Sequence, residues 1–129
     1  LEELRKFPGI DVDQGLRYLR GKVDRYLALL RKFVLAHAED LATLDGHLAR
    51  GDRPAAQRIA HSLKGTAGML GLVTLASIAA DLESLLKEEQ ALTEHGELID
   101  QVSADLKSAW NALLAVLPAA QPGEVPGRS

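Results

Sequence analysis

Apolar residues recur every three or four positions along most of the chain, which is the periodicity of amphipathic α-helices. The longest stripe predicts a helix over residues 22–50, which would be about 40 Å long. Further stripes of the same period predict helices over residues 53–70, 73–90 and 94–117. A shorter stripe predicts a short first helix and consists of Val12, Leu16 and Leu19. No segment shows the alternation of a β-strand.

Residues that end or begin helices lie between these stripes. Gly21, Gly51 and Gly71 follow the first three predicted helices, where glycine commonly ends a helix. Asp52 can cap the helix that begins near residue 53, and Pro54 suits the first turn of that helix. The turns between the predicted helices are therefore short.

Four long amphipathic helices joined by short turns predict an all-α fold. The expected architecture is an antiparallel up-down four-helix bundle with a short extra N-terminal helix. We expect residues 1–10 to form an N-terminal lead and residues 11–117 to form the bundle domain. Residues 118–129 contain proline and glycine and are expected to be a disordered tail or linker.

Composition narrows the functional classes. The chain has 129 residues, the size of one domain, of which 47% are hydrophobic and only 4% aromatic. The net charge of −3 does not indicate a nucleic-acid or anionic-membrane partner. The absence of cysteine excludes disulfides and thiol chemistry, and no apolar run approaches the roughly 18–20 residues of a membrane span. Because Leu1 is the first residue, we interpret the chain as a fragment or processed form of a longer protein.

Two glycines lie on the same predicted helical face as a histidine. Gly65 and Gly68 follow His61 by four and seven residues, and Lys64 lies one turn along. A glycine inside a helix costs roughly 1 kcal/mol relative to alanine, so these two positions require a reason. Either a large partner must reach the imidazole, or the glycines allow close packing of helices.

The pattern suits nucleophilic chemistry at an exposed imidazole. His61 follows the core stripe by one residue, so we expect its side chain to be exposed. A neutral imidazole nitrogen can accept a phosphoryl group and return it, because the N–P bond is reactive. Such transfer depends on in-line positioning and on neutralising oxygen charge, which Lys64 could supply. Gly65 and Gly68 would provide steric room.

Residues 61–71, which read HSLKGTAGMLG, resemble the signature of the histidine phosphotransfer (HPt) domains of multistep phosphorelays. Residues 7–33, which begin with FPGID, resemble the start of HPt domains in hybrid sensor histidine kinases, and Leu82-Glu83 fits the fourth-helix pattern of the family. The resemblance covers about residues 7–117. One departure is Lys22, where many relatives have Asn or Asp, and we expect it to affect the helix start only.

The resemblance implies a phosphorelay intermediate without independent turnover. It would accept a phosphoryl group on Nε2 of His61 from a receiver-domain aspartate and pass it to a second receiver. Lys64 would lie near the phosphoryl oxygens, and Gln57 would hold the ring or a phosphoryl oxygen. Gly65 would let the receiver close over His61. The chain itself would need no cofactor, since magnesium would belong to the partner receiver.

The expected partners are response-regulator receiver domains. The partner surface would centre on His61 and include Met69 and Leu72 as exposed apolar side chains. Such contacts are expected to be transient. We further expect a monomer in the cytoplasm, without contact to nucleic acid or membrane.

Other functions stay open at this point. The phosphotransfer domain of chemotaxis histidine kinases, an autokinase substrate, has a very similar histidine motif. The dimerisation domain of ordinary sensor kinases is disfavoured, because Ser62 replaces an acidic residue and no proline follows before Pro118. A non-chemical helical adaptor would leave the glycine–lysine pattern unexplained.

The remaining ionisable residues predict no metal site. His37, His47 and His95 form no pair four residues apart, and no His-Glu-x-x-His motif occurs. His37 lies on an apolar stripe and is expected to be a partly buried structural residue. Trp110 is expected to pack in the core or at its edge.

Overall fold

The computed structural model describes residues 2–117, with side chains from Leu4 onward, and every regular element in this range is a helix. The helices are α1 (Glu2–Arg5), α2 (Val12–Tyr18), α3 (Val23–Ala49), α4 (Arg53–Met69), α5 (Val73–Leu86), α6 (Ala91–Glu94) and α7 (Gly96–Val116). The predicted all-α class is confirmed for this part of the chain. The predicted disordered tail, 118–129, lies outside the described residues.

The four long helices, α3, α4, α5 and α7, contribute most of the core. Helix α4 packs most extensively on α5, α5 packs on α7, and α3 packs on α4. Their apolar stripes meet in one hydrophobic cluster, whose fully buried members include Leu30, Leu44, Leu63, Leu82 and Leu106. At these five positions the periodicity of the sequence predicts burial correctly, whereas Leu98, which the periodicity also assigns to a stripe, is 51% exposed.

Capping residues set the ends of α4, the helix that carries His61. The Asp52 carboxylate accepts a hydrogen bond from the Ala55 N–H at 3.2 Å, and Pro54 occupies the first turn. Gly51 and Gly71 precede and follow this helix with φ of 76°, a left-handed conformation that glycine adopts without steric cost. Both ends of α4 therefore lie where the sequence predicts them.

Three other boundaries differ from the prediction. The N-terminal lead contains the helical turn α1, whose Leu4 is buried in the core cluster. Helix α5 ends at Leu86, because residues 87–90 contain no apolar side chain that could extend its stripe. The helix predicted over residues 94–117 begins instead at Gly96, after the separate turn α6.

Hydrogen bonds join α2 and the first turn of α3 to the C-terminal end of α4. The Gln14 side-chain amide donates to the Gly68 carbonyl at 2.9 Å, and the buried Tyr26 hydroxyl donates to the Leu70 carbonyl at 2.8 Å. We call this contact the α2 junction, which comprises Asp11, Gln14, Gly15, Tyr26, Leu70 and Gly71. It ties the end of the histidine-bearing helix to the first part of the chain.

Two glycines of the α2 junction are tightly enclosed. A Cβ atom at Gly15 would overlap the Tyr26 ring and lie 2.7 Å from the Leu70 carbonyl oxygen. A Cβ atom at Gly71 would overlap the Asp11 carbonyl oxygen, and the Asp11 N–H donates to the Gly71 carbonyl at 2.7 Å. Both positions therefore require glycine because of contacts within the chain itself.

His37 and Trp110 lie in the interior, as the sequence predicts. The His37 ring is buried, with Nδ1 at 3.0 Å from a carboxylate oxygen of Asp40, and it packs against Phe33. Trp110 is also buried, and its ring centroid lies 5.7 Å from that of Phe33. Both residues stabilise the packing of α3 against its neighbours.

Candidate functional site

His61 lies in the middle of α4 and points away from the core. Its side chain is 70% exposed, whereas the neighbouring core residues Ala60 and Leu63 are fully buried. Successive residues of a helix are separated by about 100°, so a residue next to the core stripe points outward. The exposure predicted for His61 is confirmed.

A buried carboxylate on α5 contacts His61 from below. Glu83 is 8% exposed, and its Oε2 lies 2.6 Å from Nδ1 of His61. Its other oxygen, Oε1, lies 2.6 Å from Nζ of Lys64. A buried carboxylate is costly unless it is paired, and here each oxygen has one partner on α4. The three side chains therefore form one bridged unit between the two helices.

The carboxylate fixes the proton of the imidazole. An ionised Glu83 can only accept hydrogen bonds, so Nδ1 of His61 is the donor and carries hydrogen. In the neutral ring the lone pair then lies on Nε2, which has no hydrogen-bond partner among the described residues. The outward-facing nitrogen is therefore the nucleophilic one.

Glu83 is held in its ionised form by its two partners. The hydrogen bond from Lys64, followed by that from His61, lowers the pKa of Glu83 below its ordinary value, although burial acts in the opposite direction. At neutral pH the carboxylate therefore bears a full negative charge next to the His61 ring.

The glycines beside His61 have open space above them. A Cβ atom at Gly65 or at Gly68 would meet no atom within 4 Å. Close packing of helices within the chain therefore does not account for either glycine. We call the surface formed by His61, Lys64, Gly65, Gly68 and Met69 the His61 face. Its lack of side-chain bulk leaves Nε2 accessible to a large partner.

The structure gives Gln57 a different contact from the predicted one. Gln57 lies one turn before His61 and accepts a hydrogen bond from Nη1 of Arg53 at 3.3 Å. In residues 2–117 no hydrogen bond joins Gln57 to His61. Its role toward the ring or a phosphoryl oxygen stays a prediction.

The two apolar residues predicted for the partner surface differ in exposure. Met69 is 44% exposed and lies on the same helix as His61. Leu72 is 1% exposed, so the prediction that it belongs to an exposed surface is wrong. The backbone reverses at Gly71, and the Leu72 N–H donates to the Ala67 carbonyl at 2.9 Å, which directs this side chain into the core.

Glu83 is the residue that reasoning from the sequence missed. It follows Ala79 by four residues and precedes Leu86 by three, so it lies on the buried stripe of α5. A carboxylate on a core-facing stripe needs cationic or donor partners. His61 and Lys64, three residues apart on one face of α4, are suitable partners. The sequence therefore contains a signal that Glu83 pairs with them.

Neither a metal centre nor a membrane segment occurs within the described range. No three ligating side chains of His, Cys, Asp or Glu come together there. None of its helices combines the length and the apolar character needed to cross a bilayer.

A comparison with protein families identifies the family of the chain. The model of the family described as Hpt domain matches residues 28–117, which is more than half of the chain. The matched range contains α4, α5 and α7 in full, with His61, Lys64 and Glu83. No curated protein and no solved structure matches the chain at a significant level.

Proposed function

Because the chain belongs to the Hpt domain family, we propose that His61 is the residue that accepts the phosphoryl group. Hpt domains carry out histidine phosphotransfer in phosphorelays and interact with receiver domains. The observation that supports His61 is its combination of an exposed ring with an Nδ1–H bound to Glu83, which leaves the Nε2 lone pair outward.

The transfer is a displacement at phosphorus. The Nε2 lone pair attacks the phosphorus of a receiver aspartyl phosphate in line with the scissile P–O bond. The N–P bond forms, the P–O bond breaks, and its electron pair returns to the aspartate carboxylate. Transfer to a second receiver reverses these bond changes with another aspartate. Magnesium on the receiver would offset the oxygen charge in both steps.

Lys64 is proposed to stabilise the phosphoryl oxygens. Its ammonium group has three donors, and the contact with Glu83 uses one of them. The side chain is 40% exposed, and we propose that its remaining donors are available to a phosphoryl group. Gln57 is proposed as a secondary contact to the ring or to a phosphoryl oxygen.

The His61 face is proposed as the docking surface for receivers. Gly65 and Gly68 remove side-chain bulk beside the imidazole, and Met69 adds an exposed apolar contact. A relay requires that each receiver leave after transfer, so a small interface with fast dissociation suits the function.

The domain arrangement forms part of the proposal. We assign residues 11–117 to an HPt bundle in which the four long helices run up and down in antiparallel order, with α2 as the short extra helix. Residues 1–10 are a lead, and 118–129 a tail or linker. The domain acts as a monomer in the cytoplasm without turnover of its own. Sedimentation equilibrium of the chain tests the monomer, since a dimer mass would contradict it.

Phosphoryl transfer from a radiolabelled phospho-receiver tests the assignment of His61. The wild-type chain is expected to take up acid-labile, alkali-stable label, whereas His61→Gln is expected to take up none. His95→Gln is the matched control, because His95 is also partly exposed and lies 3.7 Å from a carboxylate oxygen of Glu88. Circular dichroism verifies that all three chains are folded.

Each outcome of this experiment has a distinct meaning. Normal labelling of folded His61→Gln would reject His61 as the acceptor. If label arrives only from an ATP-loaded kinase, His61 would still be the acceptor, but the phosphoryl donor would be the kinase, as in an autokinase substrate domain. If the wild-type chain takes label from neither receivers nor kinases, the proposed phosphotransfer would be rejected and a non-chemical helical adaptor would be the function that remains.

A further inference from the structure

Three exposed cations lie in or beside the turn that joins α2 to α3. Arg20, Lys22 and Arg25 are exposed, and none of them forms an ion pair within the part of the chain that the structure describes. We call these three residues the basic turn. Residues 17–25 contain four basic residues and one acidic residue, Asp24, so their net charge is +3, whereas that of the whole chain is −3. The turn therefore presents positive charge to solvent.

Folding does not favour a cation at any of these three positions. Arg20 has φ of 56°, a left-handed conformation that costs free energy in residues other than glycine. Lys22 is the N-cap residue of α3 and makes no capping hydrogen bond, whereas an Asn or Asp there could make one. Arg25 lies in the first turn of α3, where the helix dipole disfavours positive charge. Local stability therefore does not account for the basic turn.

The basic turn lies at the end of the bundle where α4 ends. The Tyr26 hydroxyl, in the first turn of α3, donates to the Leu70 carbonyl at 2.8 Å and joins the two helix ends. Met69 is the last residue of α4 and belongs to the His61 face. It follows His61 by eight residues, which corresponds to about 12 Å along the helix. The basic turn is therefore close to the Met69 end of the His61 face.

An apolar groove connects the His61 face with α2 and α3. The groove has a volume of about 220 Å³, and its lining includes Met69 of α4, Leu29 of α3 and Tyr18 of α2. Tyr18 is 57% exposed and precedes Arg20 by two residues. The surface that begins at His61 therefore continues through this groove to the basic turn.

We propose that the basic turn is a specificity site at the rim of the receiver docking surface, where it binds exposed carboxylates of the receiver. This inference rests on the proposed function and names the kind of receiver that the same surface favours. A receiver that covers ~800 Å² centred on His61 would reach about 16 Å from the ring, so its edge would meet the groove and the basic turn.

The position at the rim determines what these charges do. Rim charges attract a partner through water, so they raise the association rate and disfavour partners of like charge more than they slow dissociation. This suits a relay, because an acidic receiver would arrive faster and still leave after transfer.

The test replaces two of the cations by residues that the backbone prefers. Arg20→Gly removes the cost of the left-handed conformation, and Lys22→Asn supplies a capping side chain. The double variant is therefore expected to unfold in urea at the wild-type concentration or above. Arg50→Gln combined with Lys87→Gln is the matched control, since these exposed cations follow α3 and α5 at the opposite end of the bundle.

Transfer is measured from two phospho-receivers that both label the wild-type chain, one with negative and one with positive net charge. With the acidic receiver at low salt, the Arg20→Gly/Lys22→Asn chain is expected to show an about tenfold lower second-order rate constant. The rate at saturating receiver is expected to stay unchanged. The difference is expected to shrink to about twofold or less at about 0.5 M NaCl, because salt screens exposed charges. The basic receiver and the control chain are expected to show little change.

Several results would overturn the inference. One is a wild-type rate constant for the double variant with the acidic receiver at low salt. Another is a loss of rate that salt does not reduce or that the control shares. A third is unchanged transfer together with lost binding to phosphatidylcholine vesicles that contain phosphatidylserine, which would assign the basic turn to an anionic membrane.

The proposed function and this inference can fail separately. If no receiver labels the wild-type chain, receiver-dependent phosphotransfer is rejected, and the inference is rejected with it. If the wild type is labelled and the double variant reacts equally fast, only the specificity site is rejected.

Discussion

Glycines have opposite surroundings in two regions of the molecule, the α2 junction and the His61 face. At the α2 junction, Gly15 and Gly71 are enclosed by neighbouring atoms, and a Cβ atom at either would overlap them. On the His61 face, Gly65 and Gly68 would receive a Cβ atom without contact. The requirement at the junction is therefore visible inside the chain. The described residues show no such requirement on the His61 face, and there we propose a docking partner as the reason for glycine.

The largest expected effect is the loss of stability in Gly71→Ala. Alanine there would have to adopt φ of 76° and would also overlap the Asp11 carbonyl, so we expect a loss of about 3 kcal/mol or more. Gly51→Ala is the control, since Gly51 has the same φ and nothing within 4 Å of its Cβ direction. It should lose only about 1–2 kcal/mol. Equal losses in urea unfolding would mean that packing at the junction contributes nothing.

Gly65→Ala should change function and stability in opposite directions. We expect phosphoryl transfer from a receiver to fall about tenfold, which corresponds to ~1.4 kcal/mol of docking free energy. The free energy of unfolding should rise by about 1 kcal/mol, because alanine favours the helix. Gly46→Ala on α3 is the matched control, as its Cβ would meet only the end of the Arg50 side chain at 3.2 Å. Unchanged transfer in Gly65→Ala would remove the steric argument for the His61 face.

Tyr26→Phe should weaken the α2 junction and leave the chemistry intact. The variant removes the buried hydrogen bond to the Leu70 carbonyl, so we expect a loss of about 1 kcal/mol in the free energy of unfolding. Tyr18→Phe, at an exposed tyrosine, should change it little. A drop in transfer rate for folded Tyr26→Phe would show that the two regions are coupled.

The smallest expected effects are changes of stability with pH, and they occur in opposite pH ranges for the two regions. Burial, with a smaller contribution from Asp11, raises the pKa of Tyr26 to about 12. The neutral Tyr26 therefore contributes fully to the free energy of unfolding below pH 10.0, and this contribution is lost as the pH rises through 12. The pKa of Glu83 is lowered in the folded state, so the ionised Glu83 contributes fully to the free energy of unfolding above pH 4.5. This contribution is lost as the pH falls through the pKa of the folded state. Unfolding of Tyr26→Phe and Glu83→Gln should approach that of the wild type at alkaline and acid pH, respectively. Convergence of Tyr26→Phe with the wild type at acid pH, or of Glu83→Gln at alkaline pH, would contradict this.

Periodicity and capping residues were sufficient to predict the long helices. Their stripes of leucine repeat at helical spacing, and Gly51, Asp52 and Gly71 delimit α4 within one residue of the predicted range. These signals are local, and the packing of α3, α4, α5 and α7 reinforces them. The exposure of His61 followed from the same geometry, because a residue adjacent to a core stripe points outward.

The errors concern residues whose surroundings depend on tertiary contacts. Leu72 was predicted to be exposed, because a turn residue near His61 has no helical stripe that would assign it a side. Glu83 was not identified as a partner, because pairing it with His61 requires knowing that α5 lies under α4. The turns α1 and α6 are too short to show a period.

The open surface above Gly65 and Gly68 also affects how α4 exchanges its amide hydrogens with solvent. Each glycine lowers local helix stability by about 1 kcal/mol, while Asp52 holds the opposite end of the helix. Amides around Gly65 should therefore exchange with deuterium faster than those near Ala56, in the same helix. A docked receiver would slow this exchange, so deuterium uptake would outline its footprint without any phosphoryl label.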